Sequence, residues 1–425
     1  MAEQKRDMFD DIIDITKSLS GITEPFNDLK DAFLGNTDPE AVEWNPADYK
    51  ERPHANTLRC LACKSPKSSC KACVDICPVS SVAIEDGGID ILDTCRKCGL
   101  CAPVCPTEAI TTTGHKPKRI YDQVAAAAAA YETAYVTCAR ALRRVPRENE
   151  VVLACIGEVT PETWLAIMAD YPNVSVYLPL DSCEGCRNAQ GEELLGEAIA
   201  TAEEWLGAGM GLEVEASALT CVKRREFERK EYMDKIMRTT GLTVSKLNPA
   251  TAAVTTVAQR LRDHTKKLSS IERTLSAATG TTTQRRRRVL TQSRQLLLSV
   301  LQSRPELAGN IRVQVPECDF AKCTMCGDCV EACPLRACDL VDAGRFALEA
   351  TYCVGCGLCA EVCEPRALTM VERDAHDLVL PDPEAKQGTL EAVAGSVGGM
   401  DAGKLAAEAK KGLSTVLDQV EKLAD

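Results

Sequence analysis

The stretch 95-CRKCGLCAPVCP-106 sets four cysteines in the order C-x2-C-x2-C-x3-C and closes on a proline. The same order returns at 323-CTMCGDCVEACP-334 and, with one residue inserted before the proline, at 353-CVGCGLCAEVCEP-365. A stretched version, 59-RCLACKSPKSSCKACVDICP-78, holds five cysteines. Three thiols two residues apart line one loop, and small residues beside them (Gly99, Gly327, Gly355, Gly357) let backbone N–H groups approach the sulfurs. Cysteines in such runs point to metal rather than to disulfides.

These runs resemble those of the bacterial two-cluster ferredoxins, in which the first three cysteines of a run hold one [4Fe-4S] cubane and the fourth serves the neighbouring one. The resemblance implies four cubanes in two modules. Set A is Cys60 or Cys63 with Cys70, Cys73 and Cys105, and set B is Cys95, Cys98, Cys101 and Cys77. Set C is Cys323, Cys326, Cys329 and Cys363, and set D is Cys353, Cys356, Cys359 and Cys333. In set A the inserted KSPKSS (64–69) lengthens the loop before Cys70. Related ferredoxins with a Ser-Ser-Cys entry place the first ligand well upstream, which favours Cys60 and leaves Cys63 as the spare. Zinc ribbons suit this spacing poorly. The runs 82–92 and 338–349 alternate about a Gly-containing turn and read as hairpins between the cluster loops. Glu364, standing before Pro365, is expected to perturb the local turn but not the ligand. Cys318 and Cys338 lie off the motif and read as buried small hydrophobes.

Residues 134–222 alternate between strand-like runs (134–138, 151–155, 174–180, 213–221) and helix-like ones (160–171, 189–206), the pattern of a mostly parallel sheet. Cys138 and Cys155 end strands, and Cys183 and Cys186 follow a third, so four thiols are expected at the carboxyl edge, where ligands of open α/β sheets gather. Cys221 ends the fourth run and is the reserve ligand. The segments 154-ACIGEVTPETWLAIM-168 and 176-VYLPLDSCEGCRN-188 resemble the delta subunit of methyl-viologen-reducing hydrogenase, the iron–sulfur subunit that feeds heterodisulfide reductase. That resemblance implies a fifth cluster, of [2Fe-2S] type, on Cys138, Cys155, Cys183 and Cys186. The pair Cys183-x-x-Cys186 is also consistent with zinc or a redox dithiol.

The chain of 425 residues carries 24 cysteines and a net charge of -12, which argues against general nucleic-acid binding. Its charge is uneven: residues 223–304 hold 19 Lys/Arg against 6 Asp/Glu. This basic helical stretch reads as a solvated face, or as a docking surface for an acidic partner or for the acidic remainder of this chain. No run is apolar enough to span a membrane, and the N-terminus does not read as a signal peptide. A cytoplasmic protein is expected. Amphipathic helices are expected at both ends, with Met8, Ile12, Ile15 and Leu19 on one face and Leu413, Val416, Val420 and Leu423 on the other's. There is no G-x-G-x-x-G after a strand, and His54, His115, His264 and His376 are scattered, so no nucleotide, Rieske or catalytic site is evident.

The fold class expected is α+β multidomain: two ferredoxin-like dicluster modules and a small α/β parallel-sheet domain, with a helical connector and helical termini. The divisions are an N-terminal extension (1–54), the first module (55–117), the α/β domain (118–222), the connector (223–310), the second module (311–374) and a tail (375–425). The function expected is that of a polyferredoxin, an electron-transfer subunit relaying single electrons within a hydrogenase, formate dehydrogenase or heterodisulfide-reductase type of complex in an anaerobe. Its partners would be catalytic oxidoreductase subunits and a soluble ferredoxin in a hetero-oligomer, without nucleic acid or membrane insertion. The alternative from another class is an iron–sulfur assembly or redox-sensing protein acting through the basic stretch.

Overall fold

Asp86 and Gly87 have φ of +49° and +74°, the left-handed pair that closes a tight hairpin between alternating strands. The hairpin is the centre of the first module in the computed structural model, which describes residues 43–224, 288–341 and 344–380. The module runs through β1 (His54–Ala55), the short helices α1 (Leu61–Lys64) and α2 (Ala72–Asp75), the hairpin strands β2 (Val82–Glu85) and β3 (Gly88–Ile91), and β4 (Ile110–Thr111). Strands β1 and β4 pair antiparallel and close the module. The described residues of 46–142 and from 146 onward form one compact unit.

The α/β domain opens with α3 (Pro117–Ala130), started by a proline whose fixed φ suits a first helical turn. It continues through β5 (Ala134–Cys138), α4 (Ala139–Leu142), β6 (Glu150–Leu153), α5 (Pro161–Asp170), β7 (Val174–Tyr177), α6 (Gln190–Leu206) and β8 (Gly211–Glu213). The sheet is wholly parallel, in the order β6-β5-β7-β8. Thr160 caps α5 by accepting the Thr163 N–H at 3.4 Å, and Gly207 stops α6 in the left-handed conformation at φ +72°. The fourth strand is shorter and earlier than the run 213–221 suggested. Residues 216–218 instead form a single 3-10 turn, because β7 ends at Tyr177, opposite Glu213, and offers no further partners.

The end of the basic stretch is not a solvated face. Helix α7 (Gln292–Ser303) buries Leu296, Leu297, Leu298 and Leu301 in the main core, together with Trp164 and Leu165 of α5 and Val124 of α3. Most of the basic stretch, and the amphipathic helices expected at the two termini, lie outside the described residues.

The second module repeats the first with longer closing strands. It comprises β9 (Arg312–Cys318), α8 (Asp328–Ala332), the hairpin β10 (Cys338–Val341) with β11 (Arg345–Leu348), α9 (Leu358–Val362) and β12 (Leu368–Asp374). Strands β9 and β12 pair antiparallel from Arg312↔Asp374 to Cys318↔Leu368. Tyr352 and Ala337 of this module join the main core beside α7.

Glu108 joins the first module to α7. Its buried carboxylate accepts the N–H groups of Gln292 and Ser293 at 2.9 and 2.8 Å, and the Ser293 hydroxyl at 3.0 Å. These are donors that the first turn of a helix cannot satisfy internally, and a carboxylate there also meets the positive end of the helix dipole. Glu108→Ala leaves three buried donors without their acceptor. It is expected to cost about 2–3 kcal/mol of stability, read as a lowered urea midpoint with an unchanged slope.

Candidate metal centres

One turn is built four times. After Cys77, Cys105, Cys333 and Cys363 the residue three places on takes a left-handed φ: Ser80 at +49°, Glu108 at +49°, Arg336 at +58° and Arg366 at +50°. The N–H of the residue after that points back at the cysteine sulfur. Ser81, Ala109, Ala337 and Ala367 donate at 3.2, 3.1, 3.3 and 3.3 Å. The displaced proline at Pro365 changes none of this, contrary to expectation. The carbonyl of Cys363 still accepts from Arg366 at 3.0 Å, as that of Cys77 does from Ser80 at 3.2 Å.

The loops of the other three thiols share a second device. Lys97, Met325 and Gly355, just before the middle cysteine, have φ of +57°, +56° and +69°, and Gly99, Gly327 and Gly357, just after it, have +78°, +87° and +80°. Lys71, following Cys70, has φ -141° instead, so the loop carrying the insertion departs from the other three.

Around these turns the thiols gather in groups. Cys73 is within electrostatic reach of Cys105, Cys60 and Cys70. Cys63 is placed against Cys60. Cys98 faces Cys95 and Cys77, and Cys101 faces Cys98 and Cys95. Cys77, Cys95, Cys98 and Cys101 line one small pocket. Cys333, Cys353, Cys356 and Cys359 line another, with Cys338 in its wall. Cys329 faces Cys359 and Cys326. Cys318 is half-buried, and its thiol faces those of Cys323 and Cys363. It is therefore part of a thiol group rather than a buried hydrophobe. Cys338 is buried, as expected, but it packs against Cys333 and Cys359.

The α/β domain brings four more thiols to the carboxyl edge of its sheet. Cys138 ends β5 and accepts the N–H groups of Ala141 and Arg140, and Cys155 follows β6. Cys183 faces Cys138 and Cys186, and Cys155 faces Cys138. Arg140 ties the Cys183–Cys186 loop down by donating to the Ser182 carbonyl at 2.9 Å, and the Cys186 sulfur accepts the Asn188 N–H at 3.4 Å. A Cβ on Gly191 would stand 2.4 Å from the Cys155 sulfur, so only glycine fits there. Cys221 is not at this edge. It is exposed and beside Tyr131, which precedes β5, because the chain after β8 passes the amino ends of the strands.

Sequence reasoning missed a buried pair between this edge and set B. Glu158 bonds His115 Nδ1 at 3.0 Å and accepts the Ala154 N–H at 3.2 Å, and its carboxylate fills the space a side chain on Gly99 would need. Burial pushes the Glu158 carboxyl up, and Glu158 and Glu51 hold the His115 imidazolium above its usual range. Glu158 lies within the quoted 154–168 motif, three residues from Cys155, a spacing that marks it in hindsight.

The donor sets fit iron–sulfur clusters. Burial, and then the neighbouring thiolates, push the thiols of Cys73, Cys101, Cys329 and Cys356 up to about 12, and burial with Glu192 and the neighbouring thiolates pushes that of Cys183 to about 11. Buried sulfurs that repel one another when ionised are stable protonated or around a cationic core. Among the described residues no three His, Cys, Asp or Glu side chains converge on a single ion. Thiols that each bind a different iron of a cluster stand farther apart than the ligands of one ion.

Residues 89–111, spanning β3 to β4 with Cys95, Cys98, Cys101 and Cys105, match the 4Fe-4S binding domain family. The comparisons with curated proteins and with solved structures gave no significant match. Motif, turn geometry and family match together define a ferredoxin-like iron–sulfur protein that binds [4Fe-4S] clusters and suits electron transfer. Among the described residues no helix is long and apolar enough to cross a membrane.

The raised thiols give the metal-free protein a pH dependence. A thiol whose folded pKa exceeds its unfolded value of about 8.5 adds no penalty below that value and destabilises the fold as pH rises toward the folded one. Metal-free protein is expected to lose stability steadily from pH 9 toward 12, followed by thermal unfolding. The cluster-loaded protein, whose thiolates are already ionised by iron, is expected to show a much flatter profile.

Proposed function

We propose that the chain is a polyferredoxin: four [4Fe-4S] clusters on sets A to D and a fifth iron–sulfur cluster on Cys138, Cys155, Cys183 and Cys186, relaying electrons inside a larger redox complex. The observation that carries this is that the five thiol groups adjoin in one series. Cys155 of the α/β domain packs with Cys98 of set B against Leu100. Cys101 of set B faces Cys73 of set A, and the two share a buried cluster with Val82 and Ile110. Cys70 of set A and Cys356 of set D flank the contact of Leu61 with Leu358 and Val362. Cys359 of set D faces Cys329 of set C.

The step between modules depends on the insertion at 64–69. Lys67 bonds Glu364 at 2.8 Å, and the Ser69 hydroxyl donates to Glu361 at 2.5 Å, so the stretched loop is the surface on which helix α9 docks. When bound, iron–sulfur clusters supply one-electron exchange. This chain's residues hold the thiols, keep water from the buried ones and aim N–H groups at the sulfurs. The reading pairs the chain with a catalytic oxidoreductase partner of hydrogenase, formate dehydrogenase or heterodisulfide-reductase type. The grouping of Cys60 with Cys70 and Cys73 supports Cys60 as the set A ligand, with Cys63 beside it as a spare.

Anaerobic iron and sulfide analysis with EPR tests the reading. It expects roughly 18 iron atoms, from four cubanes and one two-iron centre, whereas fewer than about 10 with stoichiometric zinc overturns it. In the same assay Cys60→Ser is expected to lose one cubane while Cys63→Ser retains all four. The reverse outcome assigns the ligand to Cys63.

A further inference from the structure

The two modules are built on one plan, so equivalent positions can be compared. Five residues after each fourth cysteine stands the first residue of a strand: Val82 after Cys77, Ile110 after Cys105, Cys338 after Cys333 and Leu368 after Cys363. All four are buried, at 4%, 1%, 3% and 5% exposure. In each module the two positions form one apolar cluster with thiols of both its sets: Val82 and Ile110 with Cys73 and Cys101, Cys338 and Leu368 with Cys359 and Cys329. Three positions carry aliphatic side chains that have nothing to donate. Cys338 carries a thiol, packed against Cys333 and Cys359 and opening on the pocket that set D lines.

A second asymmetry lies on the other side of the same set. Arg294 sits on the apolar face of α7, in register with Leu297, Leu298 and Leu301, and is only 7% exposed. Its Nη2 donates to the Cys353 carbonyl, and its Nη1 has no hydrogen-bond partner among the described residues. Burying a guanidinium is costly unless negative charge faces it. Glu162 and Cys353 are the negative groups in its electrostatic reach. A cubane held by four thiolates carries net negative charge, larger when reduced, and at set D it would complete the surroundings of this cation.

We propose that Cys338 and Arg294 are tuning residues that give the cluster on Cys333, Cys353, Cys356 and Cys359 the highest reduction potential of the four cubanes. The inference rests on the reading that these cysteines hold a cubane. Sulfur-directed hydrogen bonds and nearby positive charge both favour the more negative, reduced form. The position of set D, between set A and set C, puts this cluster at the junction of the modules.

The test is an anaerobic redox titration of the reconstituted full-length protein, followed by EPR, with iron counted in each sample. One cubane of the wild type is expected to titrate at a more positive potential than the rest, and Cys356→Ser identifies its signal. Cys338→Val installs the aliphatic side chain that an equivalent position already carries. It is expected to keep all cubanes and weaken electron binding at that one by about threefold to tenfold, tenfold being about 59 mV for one electron. Arg294→Met is expected to shift the same signal in the same direction, while Arg294→Lys, which keeps the charge, retains more of the wild-type potential. Unchanged midpoints in both Cys338→Val and Arg294→Met at full iron content overturn the proposal. Loss of a cubane in Cys338→Val also overturns it, because Cys338 is then a ligand. Wild-type protein without four cubanes, or a Cys356→Ser variant spectrally identical to it, overturns the underlying cluster assignment instead.

Discussion

A sulfur that accepts the N–H of the residue four places on is the constraint from which both modules are assembled. The turn requires a left-handed residue at the third place, and at Ser80, Glu108, Arg336 and Arg366 that residue is not glycine. Such a conformation costs about 1 kcal/mol or more each time, so something beyond local preference must hold it. The sulfur contact, the strand that starts at once after the turn and the buried side chain opening that strand supply that support. Because the fourth cysteine reaches across to the other loop's thiols, each turn also fixes how the two halves of a module face each other.

The same turns govern how the modules attach to the rest of the chain. Glu108 belongs to the turn after Cys105, and its carboxylate caps α7, which in turn carries Arg294 to the back of set D. Glu361 and Glu364 flank Cys363 and receive the loop 64–69. A departure from the ferredoxin plan in one module thus meets a departure in the other. The extra residues before Cys70 and the glutamate between Cys363 and Pro365 are two sides of one contact. The α/β domain is bound in as closely. Gly99 of a cluster loop leaves room for Glu158, and Gly157 and Gly191 let α6 lie against Cys155.

Much of this was legible along the chain. Spacing marked the cysteine runs, because a loop of three thiols and a proline-closed fourth is a local object whose geometry is set within a dozen residues, and the resemblance to two-cluster ferredoxins implied how the runs group. Strand and helix alternation placed Cys138, Cys155, Cys183 and Cys186 at one sheet edge, since parallel strands deliver their carboxyl ends together. The short fourth strand was not legible, because its end depends on where neighbouring β7 stops offering partners. Arg294 was read as part of a basic run, although its register with Leu297, Leu298 and Leu301 already placed it on an apolar face.

Which thiols share a loop, and which strands share a sheet, are matters of short-range spacing and pattern, and the sequence carries both. Folding alone decided which of Cys60 and Cys63 turns toward Cys70 and Cys73, that Cys318 and Cys338 lie against thiols, and in what order the five groups adjoin. Those are contacts between residues far apart along the chain, made by packing Leu61 on Leu358, Leu100 on Cys155 and α7 on α5. No local spacing records them, because burial and shape at each interface are set jointly by both partners.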